Sequence, residues 1–477
     1  MKRRSLLILL ACTALVAAGG GAWWWRAGQA QSRVAALLPA LPDLSSAPAA
    51  LRERVVQADA RARSRLGAAK GFAALSRVYH ANGFLEEARH CYEGLEQIEP
   101  AEPRWPHLLA NILAGYGEIE PALELWRKVR ELAPDYLPAP LRSGDSLLKV
   151  NRPQEAAAAY EAVLKLDAEN PYALLGLARL DLAAGRWEQA RPRLEQVVSK
   201  TNYTLGYDLI VSLYERMGLN QRATDIRGMA KASGAYRDAA DPWLDGLIED
   251  CLDPYRLSLA AGTTARNGDP ATARRLLERA IEVAPEDVSV RFQYGTLLVE
   301  LGDLAGAIGP LRLCTELSPD FSDGWAHLSS LQARLGEAVA AERTLAQGLK
   351  NCPQSPGLHL QYARTLQQAG RIGEAIAEFQ ASIRLRPNEP DAYLDLGNLY
   401  IRQQRNAEGM AEMRRALEAE PGHPMALSVL AFNAIITGDE AEAQRCLAAV
   451  RAQPRVPREQ VQKLVSSYRE QFGRAPP

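Results

Sequence analysis

The stretch AYLDLGNLY, residues 392–400, carries apolar side chains at 393, 394, 396, 399 and 400, the spacing of one helix face, yet Gly397 sits in its middle. Glycine inside a helix costs roughly 0.5–1 kcal/mol relative to alanine. A residue that weakens its own helix must serve something outside it. The rest of the chain shows what that is.

Shifted by 34 residues, the stretch finds copies of itself. Gly397 aligns with Ala363, Ser329, Gly295 and Ala261, and forward with Ala431. Ser76, Ala110, Gly144 and Ala178 form a second series with the same step. Twelve residues after each comes another small residue, from Ala88, Ala122, Ala156 and Ala190 to Ala273, Ala307, Ala341, Ala375, Gly409 and Ala443. Between the two small positions there is usually a glycine, as at Gly83, Gly117, Gly302 and Gly370, and prolines such as Pro134, Pro319 and Pro387 close most units. The glycine ends one helix and permits a left-handed turn into the next. The proline stops the second helix. The small pair marks where the two helices cross closely, so Gly397 exchanges helix propensity for backbone approach.

Trp325-x2-Leu328-Ser329 and Tyr393-x2-Leu396-Gly397-x2-Tyr400 in the first helix, with Ala375-x3-Phe379 and Pro387 in the second half, resemble the tetratricopeptide repeat family. The resemblance covers residues 69–454 with one interruption. It implies an all-α fold, a right-handed α-solenoid of stacked antiparallel helix pairs, about eleven units in two sub-arrays. Units begin near 69, 103, 137, 171 and 204, then 254, 288, 322, 356, 390 and 424. The expected divisions are an array over 69–237, an interrupting elbow over 238–253, a second array over 254–454 and a capping helix and tail over 455–477. The unit at 204 is degenerate, with Val211 in place of the small crossing residue, and Pro192 and Pro310 fall inside second helices, where kinks are expected. In the elbow, DAADPWLDGLIEDCLD, Asp241-Pro242 and Asp253-Pro254 read as helix caps followed by first-turn prolines, and Trp243 is expected to pack the segment down.

The N-terminus differs. After MKRR there is no charge from Ser5 to Trp25, enough residues for a helix of about 30 Å, with Trp23, Trp24 and Trp25 placed for the far membrane interface. Residues 1–28 are expected to be a transmembrane anchor, the alternative being a cleaved signal peptide, secreted or periplasmic after cleavage. Either puts the array outside the cytoplasm, on the periplasmic side of the inner membrane for the anchor. Residues 29–48, rich in Ala, Pro and Ser, read as a linker, and 49–66 as a leading helix.

A net charge of −1 gives no field favouring nucleic acid. Six cysteines without CxxC spacing exclude a zinc ribbon, a thioredoxin site and haem attachment. No phosphate-binding glycine loop, nucleophile elbow or HExxH motif occurs. No catalytic residue, cofactor, metal or small-molecule substrate is therefore expected, nor is enzyme activity. The working surface should be the concave one, which in this family is lined by the first helix of each unit. Facing it should be Lys70, Arg77 and His80, then Arg104, His107 and Asn111, a basic patch suited to a carboxylate or acidic peptide. Farther along, Arg364, Gln367, Asn398 and Arg402 should face the same way. The function expected is a membrane-tethered scaffold or assembly factor that holds peptide or helical segments of partner proteins. The alternative is a non-catalytic arm of a glycosyltransferase-type or other multi-subunit enzyme system.

Overall fold

The computed structural model describes residues 23–201, 203–230, 239–453 and 456–476, so the anticipated membrane segment lies outside the described residues up to residue 22. No described helix is long and apolar enough to cross a membrane. The described chain is helical, and it forms two compact units that divide after Pro285.

The first unit opens with α1 (residues 23–37) and α2 (Ala49–Ala62). Helix pairs follow: α3 and α4 (Ala68–Ala81, Leu85–Ile98), α5 and α6 (Arg104–Gly115, Ile119–Leu132), α7 and α8 (Pro138–Lys149, Pro153–Leu166), α9 and α10 (Pro171–Ala183, Trp187–Lys200), α11 and α12 (Thr204–Arg216, Asn220–Ala230). After the short helix α13 (Pro242–Asp245) and a 3₁₀ turn (Gly246–Asp250), α14 and α15 (Pro254–Arg266, Pro270–Val283) complete it. The second unit holds α16 and α17 (Val288–Glu300, Leu304–Leu317), α18 and α19 (Ser322–Arg334, Ala338–Asn351), α20 and α21 (Pro356–Gln368, Ile372–Leu385), α22 and α23 (Pro390–Arg402, Asn406–Ala419), α24 and α25 (Pro424–Thr437, Glu440–Ala452), and α26 (Arg458–Phe472). Every pair packs as a hairpin, and within each unit the second helix of each pair packs on the next first helix, except that α12 is followed by the segment holding α13.

The small residues stand where the hairpins cross. Ser76, Ala110, Ala178, Ala363 and Ala431 are buried, as are Ala88, Ala122, Ala190, Ala375 and Ala443 opposite them. At Gly397 the reason is visible in atoms. A Cβ there would stand 3.1 Å from the carbonyl oxygen of Gly409, and one on Gly409 would stand 2.9 Å from that of Gly397. Two backbones touch, and neither tolerates a side chain between them. Around the crossings large apolar residues close the core. Phe379 is wholly buried among Leu366, Leu396, Leu399 and Tyr400, and truncating such a phenylalanine typically costs about 3–5 kcal/mol. In the degenerate unit Val211 is half-buried against the α9–α12 core, and the hairpin still forms. α26 lays Leu464 and Tyr468 against Leu427, Ala431 and Ala434, as the capping reading requires.

One expectation needs correction. The proposed linker over 29–48 is helical through residue 37, because Val34 is buried and Gln31 Nε2 donates to the carbonyl of Arg63 at 2.7 Å. Its alanines lie on a helix that docks, not in a loose tether. Pro192 and Pro310 do not break their helices: α10 and α17 run continuously through them. Each sits near the middle of its fourteen-residue helix, where its missing N–H removes one intrahelical bond.

Candidate functional site

Of the residues placed on the inner face of the first helices, Arg77 and His107 bind the chain's own segment 241–252. The 3₁₀ turn packs on α3, and α13 packs on α5. Asp241 and Asp253 cap the helices that follow them by accepting from the N–H groups of Leu244 and Arg256, as the Asp-Pro pairs indicated. Capping fixes the backbone at both ends of the segment and leaves its acidic groups aimed at the groove.

At one end, the Arg77 Nε donates to Asp250 Oδ2 at 2.7 Å and its Nη2 donates to the Gly246 carbonyl at 3.0 Å. Asn82, just past the end of α3, reads the backbone. Its Nδ2 donates to the carbonyl of Asp250 at 2.9 Å, and its Oδ1 accepts from the N–H of Leu252 at 2.6 Å. From α15, Arg279 donates to the carbonyls of Ile248 and Glu249 at 3.0 and 2.6 Å.

At the other end Asp241 is fully buried. Its carboxylate accepts from His107 Nε2 at 2.9 Å and from the Tyr136 hydroxyl at 2.5 Å, with Arg142 Nε at 3.7 Å. Burial alone would raise this acid, but the hydrogen bonds from His107 and Tyr136 and the Arg142 charge outweigh it and hold the carboxyl below its ordinary range. Burial and the bond to Asp241 raise Tyr136, which keeps its hydroxyl a donor. Asn111 Nδ2 donates to the His107 carbonyl at 2.8 Å, while the bond to Asp241 selects the Nε2–H tautomer. Trp243 stacks on Tyr136, ring centroids 3.5 Å apart at 11°, with the His107 ring edge-on at 5.6 Å.

Beside the segment lies a mainly apolar cleft of about 570 Å³, lined by His80, Leu247, Ile248, Leu259, Thr263 and Leu276 among others. Burial and the charge of Arg256 push His80 down to about 4, and its Nδ1 lies 3.2 Å from the Tyr92 hydroxyl. His80 is thus a neutral imidazole at pH 7, not part of a basic patch. Arg104 is also corrected: its guanidinium pairs with Glu102 at 2.8 Å and lies over the Trp105 ring, so its charge is met locally. Lys70 stays exposed. Arg77 and His107 take opposite ends of one segment of their own chain, and Asn111 supports His107.

In the second unit Arg364 Nε donates to Asp395 at 2.6 Å. Asn398 Nδ2 lies 3.7 Å from the Met425 sulfur, Gln367 is half-buried and Arg402 is exposed. Next to them α24 presents Met425, Phe432 and Ile436, exposed by 49%, 48% and 58%, on one helical face. Sequence reasoning missed Asn82, Tyr136 and Arg142. The signal was there in charge: an elbow of six acids in sixteen residues and a groove expected to be basic. Among the described residues no group of three His, Cys, Asp or Glu side chains gathers as a metal site.

Comparisons with known proteins agree on the repeat. One tetratricopeptide repeat model matches residues 147–202 and 366–431, and another matches 264–320. Cellulose synthase operon protein C of Xanthomonas axonopodis pv. citri is 27% identical over 300 residues, 55% of this chain and 19% of that protein. DnaJ homolog subfamily C member 3 of Homo sapiens is 23% identical over 262 residues, 54% of this chain and 51% of that one. The chain therefore spans from a fifth to half the length of these relatives. The crystal structure of yeast Tom70 overlays 84% of this chain and 94% of its own at 15% identity, with a TM-score of 0.38. With hairpins starting at the expected positions and small residues buried at the crossings outside the degenerate unit, these repeat matches support a tetratricopeptide repeat protein.

Proposed function

We propose that the protein is a non-catalytic interaction scaffold, tethered to a membrane by residues 5–25 with its repeats outside the cytoplasm, whose inner helix faces hold segments of partner proteins. The observation that carries this reading is the grip on residues 241–252, where a repeat surface takes a polypeptide by its backbone, two carboxylates and an indole. The second unit offers an apolar stripe at Met425, Phe432 and Ile436 beside the exposed Arg402, the surface an amphipathic helix with acidic flanks would cover.

Photo-crosslinking residues placed at Phe432 and at Gln367, with Arg445 on the outer helix α25 as control, test this in cells. The expected result is a discrete set of crosslinked partners from the first two positions, reduced severalfold by Arg402→Glu. Equal yields from Arg445 would sink the groove as the working surface.

A further inference from the structure

We propose that the inner face of α3, α5 and α7 is a receptor for acidic, tryptophan-bearing segments of a partner protein, and that residues 241–252 of the chain itself occupy the ligand position until such a segment displaces them. This rests on the scaffold reading and names the partner chemistry of one groove.

Four observations lead there. The contacts join residues far apart in sequence, Arg77 with Asp250, His107 with Asp241 and Asn82 with Leu252, so they are no part of the nearest-neighbour stacking that builds the array. The α7–α9 core behind the groove is closed by Leu147, Tyr160, Val163 and Leu177, and no residue of 241–252 takes part in it. The recognition is of the kind used for ligands. Asn82 satisfies an N–H and a carbonyl of the bound backbone whatever its side chains, while Arg77, His107 and Tyr136 select carboxylates and the Tyr136 ring selects an aromatic.

The fourth observation is energetic. The hold is polar at its two ends, with Leu247 and Cys251 buried between them and no buried residue in α13. Buried ion pairs and their hydrogen bonds roughly repay their own desolvation, giving register more than strength. A segment gripped by its polar ends exchanges against another segment of equal complementarity. The resident segment has the advantage of being tethered, so an incoming one competes against a high effective concentration. The affinity seen from outside is then reduced by the fraction of time the groove is open.

The test uses the full chain in detergent and a fluorescent peptide of residues 239–253. Asp250→Asn loosens the resident segment at a partly exposed site, and Trp243→Ala loosens it at its other end. Either change is expected to raise peptide affinity at least tenfold over the unmodified chain. Arg77→Glu added to either should abolish binding, with circular dichroism confirming the fold in each case. No binding by either loosened chain, or binding that ignores Arg77→Glu, overturns the proposal. So does equal binding by the loosened and unmodified chains. A loosened chain that forms a dimer the peptide cannot dissociate would assign the groove to a second copy and overturn the partner assignment. None of these failures would touch crosslinking at Phe432, which tests the scaffold reading separately.

Discussion

Single residues show where the repeat is held to its pattern and where it escapes. Most units place glycine at the turn between their helices, as Gly302 does with φ of 80°, but Asn151 and Gln404 stand at the same turn with φ of 56° and 61°. Asparagine visits this region at modest cost because its short amide bonds locally, whereas glutamine does so against the clash of its Cβ with the backbone. Gln404→Gly should therefore stabilise the chain by about 1 kcal/mol, read as a rise in the denaturation midpoint without a change in slope. A fall in stability would mean that the turn, not the side chain, had already relaxed. The same scale explains the neutral His80. A position expected to be cationic lies instead against Tyr92 and near Arg256, where burial and like charge both oppose a proton.

At the scale of the helix pair, the crossing at Gly397 and Gly409 is the tightest expression of the 34-residue register. Gly397→Val would regain helix propensity only in part and would drive two methyl groups toward the Gly409 carbonyl and the Met413 side chain. A net loss of about 1–3 kcal/mol is expected in chemical unfolding, and an unchanged midpoint would show that the hairpin can spread without penalty. This spacing was legible from sequence because close approach constrains residue size at fixed positions, and a size constraint repeats visibly. The helix of residues 23–37 was not legible, because alanine-rich stretches suit a linker and a docked helix alike and the difference rests on where Val34 and Gln31 find partners. Periodicity reports neighbours along the array. It is silent on a segment that returns to helices more than a hundred residues behind it, and only the opposite charges of the two stretches hinted at that pairing.

For the molecule as a whole, the order of parts carries a prediction about placement. Ser5 to Trp25 carry no charge, and residues 23–37 lie in the docked helix α1. Deleting residues 1–22 keeps α1 and its contacts, and should move the protein from the membrane pellet to the supernatant with its melting temperature intact. Retention in the pellet would show that the repeats themselves, not the leading segment, carry the attachment. The cleft beside residues 241–252 has a further consequence. One of its walls is Leu247 and Ile248, and the other is Leu259 and Leu276 of α14 and α15, so the hollow exists only while the segment is seated. A small apolar compound lodged there would work as a wedge behind a bolt, giving chemists a way to jam the groove shut without touching a single residue that reads the incoming peptide.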